Sequence, residues 1–133
     1  MYSMEEINNF FAGDRFSTEL TGIKIDEVTD DCAICSLKLD ERHYGAHSQV
    51  MGGVIFTLAD FTFAVSVNSP EEFVATVNSN ISYISSPKGS VLYGKSEKIR
   101  KSKRVCFYRM EITDDTGALI AVIETTGMRI NKQ

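Results

Sequence analysis

The sequence predicts an α+β fold in which an antiparallel β-sheet of five to six strands wraps around one long buried helix. Three observations support this fold class. A nearly uninterrupted apolar run occupies about residues 52–68, a short amphipathic segment stands near the N-terminus, and strand-like segments joined by turn residues fill the remainder. A run of consecutive antiparallel strands around one helix is typical of α+β architecture. The 133 residues are expected to form a single domain, 1–133.

The first elements are a short helix and two strands. Ser3 and Glu6 have the spacing of a capping box, and Gly13 follows the apolar residues as a stop signal. Strands are predicted near Leu20–Val28 and Cys32–Leu39, joined by an acidic turn.

The long helix contains a single charged residue, Asp60, among apolar side chains, and Pro70 is expected to end it. Removing an ionised carboxylate from water is costly unless it is paired, hydrogen-bonded or neutralised. Asp60 is therefore the best candidate for chemistry in the chain.

Further strands are predicted after the helix. In Phe73–Ser85, the residues Ala75, Val77, Ile81 and Tyr83 are expected to share one face. The other predicted strands are Val91–Ile99, Val105–Thr113 and Leu119–Ile130, with a hairpin turn at Asp114–Gly117.

Composition excludes several classes of protein. A net charge of -4 is unlike that of a general nucleic-acid binder, and no apolar run is long enough to span a bilayer comfortably. The N-terminal residues lack the pattern of a signal peptide, so a cytoplasmic location without membrane association is expected. Cys32 and Cys35 have C-x-x-C spacing, but on a strand they point to opposite faces, so no metal or redox pair is expected.

The segment Met51–Asp60 resembles the His-Gly-Gly-x-x-x-x-Leu-x-Asp signature of PaaI-type (phenylacetate-pathway) hotdog-fold thioesterases. The similarity continues through Ala64, Asn68 and Ile81–Ser85, and the element order matches from about Leu20 to Ile130. The resemblance implies the hotdog fold and hydrolysis of acyl- or aryl-CoA thioesters. Coenzyme A would be part of the substrate, and no further cofactor is implied.

The resemblance also implies roles for individual residues. Asp60 matches the catalytic carboxylate, Gly52 the backbone N–H that polarises the thioester carbonyl, and Thr76 a hydroxyl that helps to place the water. Two positions depart from the family pattern, because Met51 replaces the usual His and Gly45 replaces a frequent Asn. His47 and Gln49 are the candidates to replace the missing polar contacts.

The spacing of Asp60 and Gly52 predicts a dimer. Eight residues separate them, or about 12 Å along a helix, whereas both must come within about 3 Å of one reacting group. One helix can hardly supply both groups, so Asp60 of one chain is expected to face Gly52 of a second in a homodimer with shared sites. A dimer of dimers is the expected larger assembly. Whether Asp60 acts as general base or as nucleophile stays open.

Other residues are candidates for substrate binding. A dense positive cluster follows the fourth predicted strand and would attract the phosphates of coenzyme A, although a solvated turn would show the same charges. Its members are Arg100, Lys101, Lys103 and Arg104. Gly53 leaves the helix backbone accessible, and Met51 and Tyr83 are placed to line a channel. Aromatic Phe56, Phe61 and Phe63 are expected in the core.

Two other functions compete with hydrolysis. The first alternative is a protein that binds or senses acyl-CoA without hydrolysing it. The second is a hotdog hydratase or dehydratase. The segment His43-Tyr44-Gly45 faintly resembles part of a dehydratase motif, but Leu58 stands where those enzymes need an acid.

Overall fold

The computed structural model describes residues 1–131, in which two α-helices and six β-strands form the framework. The elements are α1 (Met4–Phe11), β1 (Lys24–Thr29), β2 (Cys32–Lys38), α2 (Gly52–Val67), β3 (Phe73–Tyr83), β4 (Val91–Lys101), β5 (Val105–Asp114) and β6 (Leu119–Ile130). A π-helical turn at Phe16–Thr21 precedes β1, and a 3-10 turn at Glu41–His43 precedes α2.

The six strands form one antiparallel sheet in the order β1-β2-β4-β5-β6-β3, so β1 and β3 are its two edges. Helix α2 packs against one face of this sheet and contacts every strand. The predicted α+β class, the central helix and the number of strands are confirmed. The N-terminal capping box is also present, with Ser3 and Glu6 each accepting the other's backbone N–H.

The hydrophobic core lies between α2 and the sheet. Phe63 packs edge-to-face against Tyr108 with ring centres 5.4 Å apart, and Phe61 meets Phe11 in the same way at 5.8 Å. Full burial of such a side chain contributes roughly 1.5–3 kcal/mol to folding. Phe61 and Phe63 are thus core residues as expected, whereas Phe56 is only half-buried. Among the described residues, no helix combines the length and apolar character needed to cross a membrane.

The prediction of a strand from Leu20 was wrong. Apolar Ile23 and Ile25 alternate with polar residues as in a strand, but the chain makes a π-helical turn at Phe16–Thr21 and β1 begins only at Lys24. Two non-local hydrogen bonds hold this turn, since the carbonyl of Leu20 accepts from Arg42 at 2.9 Å and that of Thr21 accepts from His43 at 2.7 Å. Contacts from a distant part of the sequence therefore override the local pattern.

A β-bulge at Val77 changes which residues of β3 face the helix. Thr76 pairs with Gly127 and Asn78 with Thr126, so Val77 is the extra residue and its side chain is 53% exposed. The predicted common face for Ala75, Val77, Ile81 and Tyr83 was therefore wrong. Because of the bulge, Thr76 lies on the sheet face that carries α2, as does Tyr83 further along the strand.

Candidate active site

One side of α2 has no cover within the chain. We call this side the open stripe, and its members recur at helical spacing: Gly53, Phe56, Thr57, Asp60 and Ala64. Gly53 and Asp60 are exposed, and the other three are half-buried. The expectation that Asp60 is buried on all sides is therefore wrong for the single chain. The helix is apolar around its whole circumference, but the sheet covers only part of it.

The carboxyl group of Asp60 is nevertheless partly shielded from water by the atoms around it. Desolvation by the surrounding atoms raises its pKa above the usual range of an aspartate, and the negative charge of Asp14 raises it further. Asp14 follows α1 and is also partly desolvated, which raises its own pKa. A carboxylate with a raised pKa is a stronger base, which suits either a general base or a nucleophile.

The N-terminus of α2 offers two free hydrogen-bond donors. Met51 is the N-cap residue and gives no side-chain cap, and its carbonyl accepts the N–H groups of Val54 and Ile55 at 3.0 and 3.3 Å. The N–H groups of Gly52 and Gly53 donate to no acceptor within residues 1–131. These two donors stand at the positive end of the helix dipole, which favours a negatively charged oxygen.

The two glycines have different surroundings. A Cβ atom at Gly52 would lie 3.1 Å from the ring of Tyr83, whereas a Cβ atom at Gly53 would have no neighbour within 4 Å. Packing within the chain thus accounts for glycine at position 52 but not at position 53. Glycine weakens a helix relative to alanine, so the open space at Gly53 is suited to the close approach of another molecule.

A cavity of about 410 Å³ lies beside this helix start. Its lining includes Gln49, Gly52, Ile55, Tyr83, Ile84 and Pro87. The hydroxyl of Tyr83 donates a hydrogen bond to the carbonyl oxygen of Gly52 at 3.0 Å. The fold therefore brings Gln49 and Tyr83, both predicted from the sequence, to the same place as Gly52.

The two departures from the family pattern lie against each other. A Cβ atom at Gly45 would be 3.3 Å from Cγ of Met51, so the absence of a side chain at Gly45 leaves room for the methionine. The side chain of Met51 is half-exposed beside the helix start. This corner of the site is consequently apolar.

The loop before α2 places His47 and Gln49 differently. Both are exposed in a turn that is closed by the hydrogen bond from the Gly45 N–H to the Gln49 carbonyl at 2.7 Å. Gln49 borders the cavity at Gly52, whereas His47 is not part of that lining. Gln49 is thus the better placed of the two proposed substitutes.

His43 has a structural role that sequence reasoning missed. It is 2% exposed, and its Nδ1 accepts the N–H of Asp40 at 3.0 Å. Nε2 therefore carries the proton and donates to the carbonyl of Thr21 at 2.7 Å. With both ring nitrogens engaged, His43 holds the loop to the π-helical turn, and this does not favour the dehydratase alternative.

The positive cluster lies far from Gly52 of the same chain. It occupies the end of β4 and the turn into β5, at the end of the sheet where β3 begins, whereas Gly52 lies beside Tyr83 where β3 ends. Eleven residues of strand separate these two ends, or about 35 Å. Lys101 pairs with Asp31 at 2.9 Å, and Arg100, Lys103 and Arg104 form no ion pair within residues 1–131.

Two of the three cysteines, Cys35 and Cys106, are buried. Cys32, Cys35 and Cys106 are free thiols, and burial raises the pKa of Cys35 to about 12. A buried thiol that keeps its proton is a poor nucleophile and a poor metal ligand. The influence of Asp14 on Asp60 has no signal in the sequence, because 46 positions separate the two residues.

Comparison with known proteins assigns the family. The model of the Thioesterase superfamily matches residues 47–121, more than half of the chain. A protein of Archaeoglobus fulgidus named "Putative esterase" is 27% identical over 115 residues, which cover 86% of this chain and 75% of that protein. The 1,4-dihydroxy-2-naphthoyl-CoA hydrolase of Listeria monocytogenes is 24% identical over 111 residues, which cover 81% of this chain and 90% of the hydrolase.

Solved structures share the fold. A hypothetical thioesterase protein of Streptococcus pneumoniae TIGR4, solved with coenzyme A, superposes with a TM-score of 0.83 at 22% identity, covering 95% of this chain and 98% of that one. The PaaI protein of Escherichia coli gives a TM-score of 0.83 at 19% identity, covering 98% and 99%. The chain belongs to the thioesterase superfamily and has the hotdog fold of PaaI. The predictions of a PaaI-type hotdog thioesterase and of a thioester hydrolase are confirmed.

Proposed function

We propose that this protein hydrolyses acyl- or aryl-CoA thioesters to a free acid and coenzyme A, at sites shared between two chains. The observation that carries this proposal is the open stripe of α2, which exposes Asp60 and Gly53, together with the free N–H groups of Gly52 and Gly53 at the start of the same helix. The coenzyme A hydrolase named among the relatives and the neighbour solved with coenzyme A support this substrate class.

The second chain would join along the free edge of β3. Strand β3 bonds to β6 on one side only, and none of its eleven residues is charged. A long edge strand without charge is a ready template for pairing with another chain. If two copies of β3 pair antiparallel about a dyad, the two α2 helices also run antiparallel with their open stripes facing each other.

This arrangement would solve the distance problem between the base and the donors. Asp60 of one protomer faces Gly52 and Gly53 of its partner, although the two positions in one helix lie about 12 Å apart along its axis. The donors polarise the thioester carbonyl and stabilise the oxyanion that forms on it. Thr76 lies on the same sheet face as α2 and is exposed, so its hydroxyl is available to place the water.

Asp60 would act in one of two ways. As general base it takes a proton from water while the water attacks the carbonyl carbon, and the C–S bond then breaks to release the thiolate. As nucleophile its carboxylate attacks the same carbon and expels the thiolate, and water then cleaves the resulting anhydride. An unlabelled acid product after a single turnover in H₂¹⁸O identifies the nucleophilic route, since only an anhydride that water cleaves at the Asp60 carboxyl carbon takes its oxygen from Asp60.

The dyad would also bring the positive cluster to the site. Antiparallel pairing places the beginning of β3 in one chain beside the end of β3 in its partner. The cluster of one protomer therefore reaches the same end of the joined sheet as Gly52 of the other. Arg100, Lys103 and Arg104 form no ion pair within the described residues and are available to phosphates of coenzyme A.

Thiol release from a panel of acyl- and aryl-CoA esters tests the proposed activity. We expect Asp60→Asn to lower the rate by about 10²–10⁴-fold. The matched control is Asp26→Asn on the exposed edge strand β1, which should retain wild-type activity. Binding of esters without thiol release would support a sensor instead, and an enoyl product without thiol would support a dehydratase.

Complementation tests the shared site. Asp60→Asn and Gly53→Val homodimers should each retain about 1% of the activity or less. A heterodimer of the two variants, isolated through two different tags, contains one intact site and should regain about half of the wild-type activity per dimer. If both groups acted within one chain, every chain in the heterodimer would be defective and no activity would return.

A further inference from the structure

The peptide unit between Gly52 and Gly53 is held at its oxygen end by Tyr83. The Tyr83 hydroxyl donates to the Gly52 carbonyl at 3.0 Å, and the ring lies 3.1 Å from the position that a Cβ of Gly52 would take. The opposite end of this peptide unit is the N–H of Gly53, which has no acceptor within residues 1–131. One planar group thus connects Tyr83 to a free donor at the helix start.

We infer that Tyr83 is a positioning residue that orients and polarises the Gly52–Gly53 peptide and thereby sets the direction and strength of the Gly53 N–H as a donor to the thioester oxygen. This inference rests on the proposed function. Because the peptide is planar, a hydrogen bond at its oxygen restrains the direction in which its N–H points. Hydrogen bonds in a chain also polarise one another, so donation to the oxygen strengthens the N–H as a donor.

Tyr83 can serve this purpose because the chain that follows it is fixed. The N–H of Ile84 donates to the carbonyl of Ile120 at 2.8 Å, and the hydroxyl of Ser85 donates to that of Leu119 at 2.8 Å. Further on, Asp114 accepts the N–H groups of Lys88 and Gly89 at 2.9 and 3.1 Å. The end of β3 is thereby tied to β6 and to the β5–β6 turn, although the Tyr83 side chain itself is half-exposed.

The surroundings of Gly53 fit a donor that a substrate must reach. Gly53 is exposed, and an added Cβ would meet no atom of the chain within 4 Å. Glycine is one of the two weakest helix formers, and no neighbour in the chain requires it here. Its open Cα leaves the N–H accessible to an oxygen at hydrogen-bond distance.

Tyr83→Phe tests the inference, since it removes the hydroxyl and keeps the ring against Gly52. With the ester that the wild-type protein hydrolyses fastest, we expect kcat to fall about fivefold while KM changes less than about twofold. The matched control is Tyr93→Phe, because Tyr93 is an exposed tyrosine on β4 whose hydroxyl has no hydrogen bond within the described residues. The control should leave both constants unchanged.

Amide NMR detects the effect of the hydrogen bond from Tyr83 to the Gly52 carbonyl in the absence of substrate. In Tyr83→Phe the Gly53 amide proton should shift upfield, because its peptide is less polarised, and Tyr93→Phe should leave it in place. An unchanged kcat with an unchanged Gly53 resonance would overturn the inference, and so would a rise in KM at constant kcat. If the wild-type protein hydrolyses no ester of the panel, the proposed function is overturned. A shift of the Gly53 resonance in Tyr83→Phe would still show, in that case, that Tyr83 polarises the peptide.

Discussion

The two edges of the sheet differ in length, charge and surroundings. Strand β1 has six residues, of which Lys24, Asp26 and Glu27 are charged, and its pairing with β2 is interrupted by a bulge. Strand β3 has eleven residues without a charge and carries exposed Phe73, Val77 and Tyr83. Short length, charge and bulges are the features by which natural edge strands avoid pairing with other chains.

The difference indicates that only one edge is protected against association. Strand β3 also has a bulge, but this one turns Thr76 toward the helix side and leaves a long uncharged edge on either side of Val77. The proposed active-site residues lie on α2 and on the helix-facing side of β3. The unprotected edge and the proposed site therefore belong to the same half of the molecule.

Of the changes outside the catalytic residues, the largest effect is expected from a charge placed on the unprotected edge. Val77→Lys should convert the proposed dimer to a monomer and lower thioesterase activity at least about 100-fold, because each site loses the donors of its partner. Sedimentation and thiol release measure the two effects. Thr29→Lys adds the same charge to β1 and should change neither. A monomeric Val77→Lys protein with full activity would contradict the shared site.

A smaller effect is expected for the positive cluster. The double substitution Lys103→Gln and Arg104→Gln should raise KM about fivefold for a CoA ester and leave KM for the matching pantetheine ester unchanged, since the latter lacks the nucleotide phosphates. Lys101→Gln is the control, because the ammonium group of Lys101 is already held by Asp31 at 2.9 Å, next to Lys98, which binds the same carboxylate at 3.0 Å. Equal changes for both esters would show that the cluster does not contact the phosphates.

Asp60→Asn should make the protein more stable while it removes activity. The pKa of Asp60 is raised in the folded state, so its ionised form disfavours folding at neutral pH. We expect the melting temperature to rise by a few degrees at pH 7. The gain should fade as the pH falls through the folded-state pKa, because the wild-type carboxyl is then protonated as well. A gain that persists at the lowest pH would point to packing instead.

The smallest effect is expected from Asp14→Asn. Removing the Asp14 charge takes away one of the two influences that raise the pKa of Asp60. The acidic limb of the kcat/KM profile should therefore move to lower pH, with little change on its plateau. Asp26→Asn, on the protected edge, should leave the profile in place. A profile that is the same in all three proteins would remove Asp14 from the site.

Much of the fold could be predicted because the signals are local. The apolar run of α2, the capping box at Ser3 and the turn at Asp114–Gly117 each require only neighbouring residues, and the structure contains all three. The π-helical turn was missed because the bonds that hold it come from Arg42 and His43, about 22 positions away. Local alternation cannot report such contacts.

The site was predicted less completely for a related reason. Asp60, Gly52 and Gln49 lie in one segment, so their spacing could be interpreted directly. The hydrogen bond from Tyr83 to Gly52 spans 31 positions, and the exposure of Asp60 depends on which side of α2 the sheet covers. Apolar residues all around a helix do not reveal whether its last uncovered side meets the same chain or another one.

The order of the strands has a consequence for synthesis. Strand β3 leaves the ribosome before β4 and β5, but its partner in the sheet is β6, the last strand within residues 1–131. During translation neither β6 nor the proposed second chain is available to pair with β3. Both edges of this uncharged strand therefore stay unpaired until β6 has been made. Because pairing between strands distant in sequence is slow, the strand best suited to association is also the one most at risk of aggregation while the chain is being made.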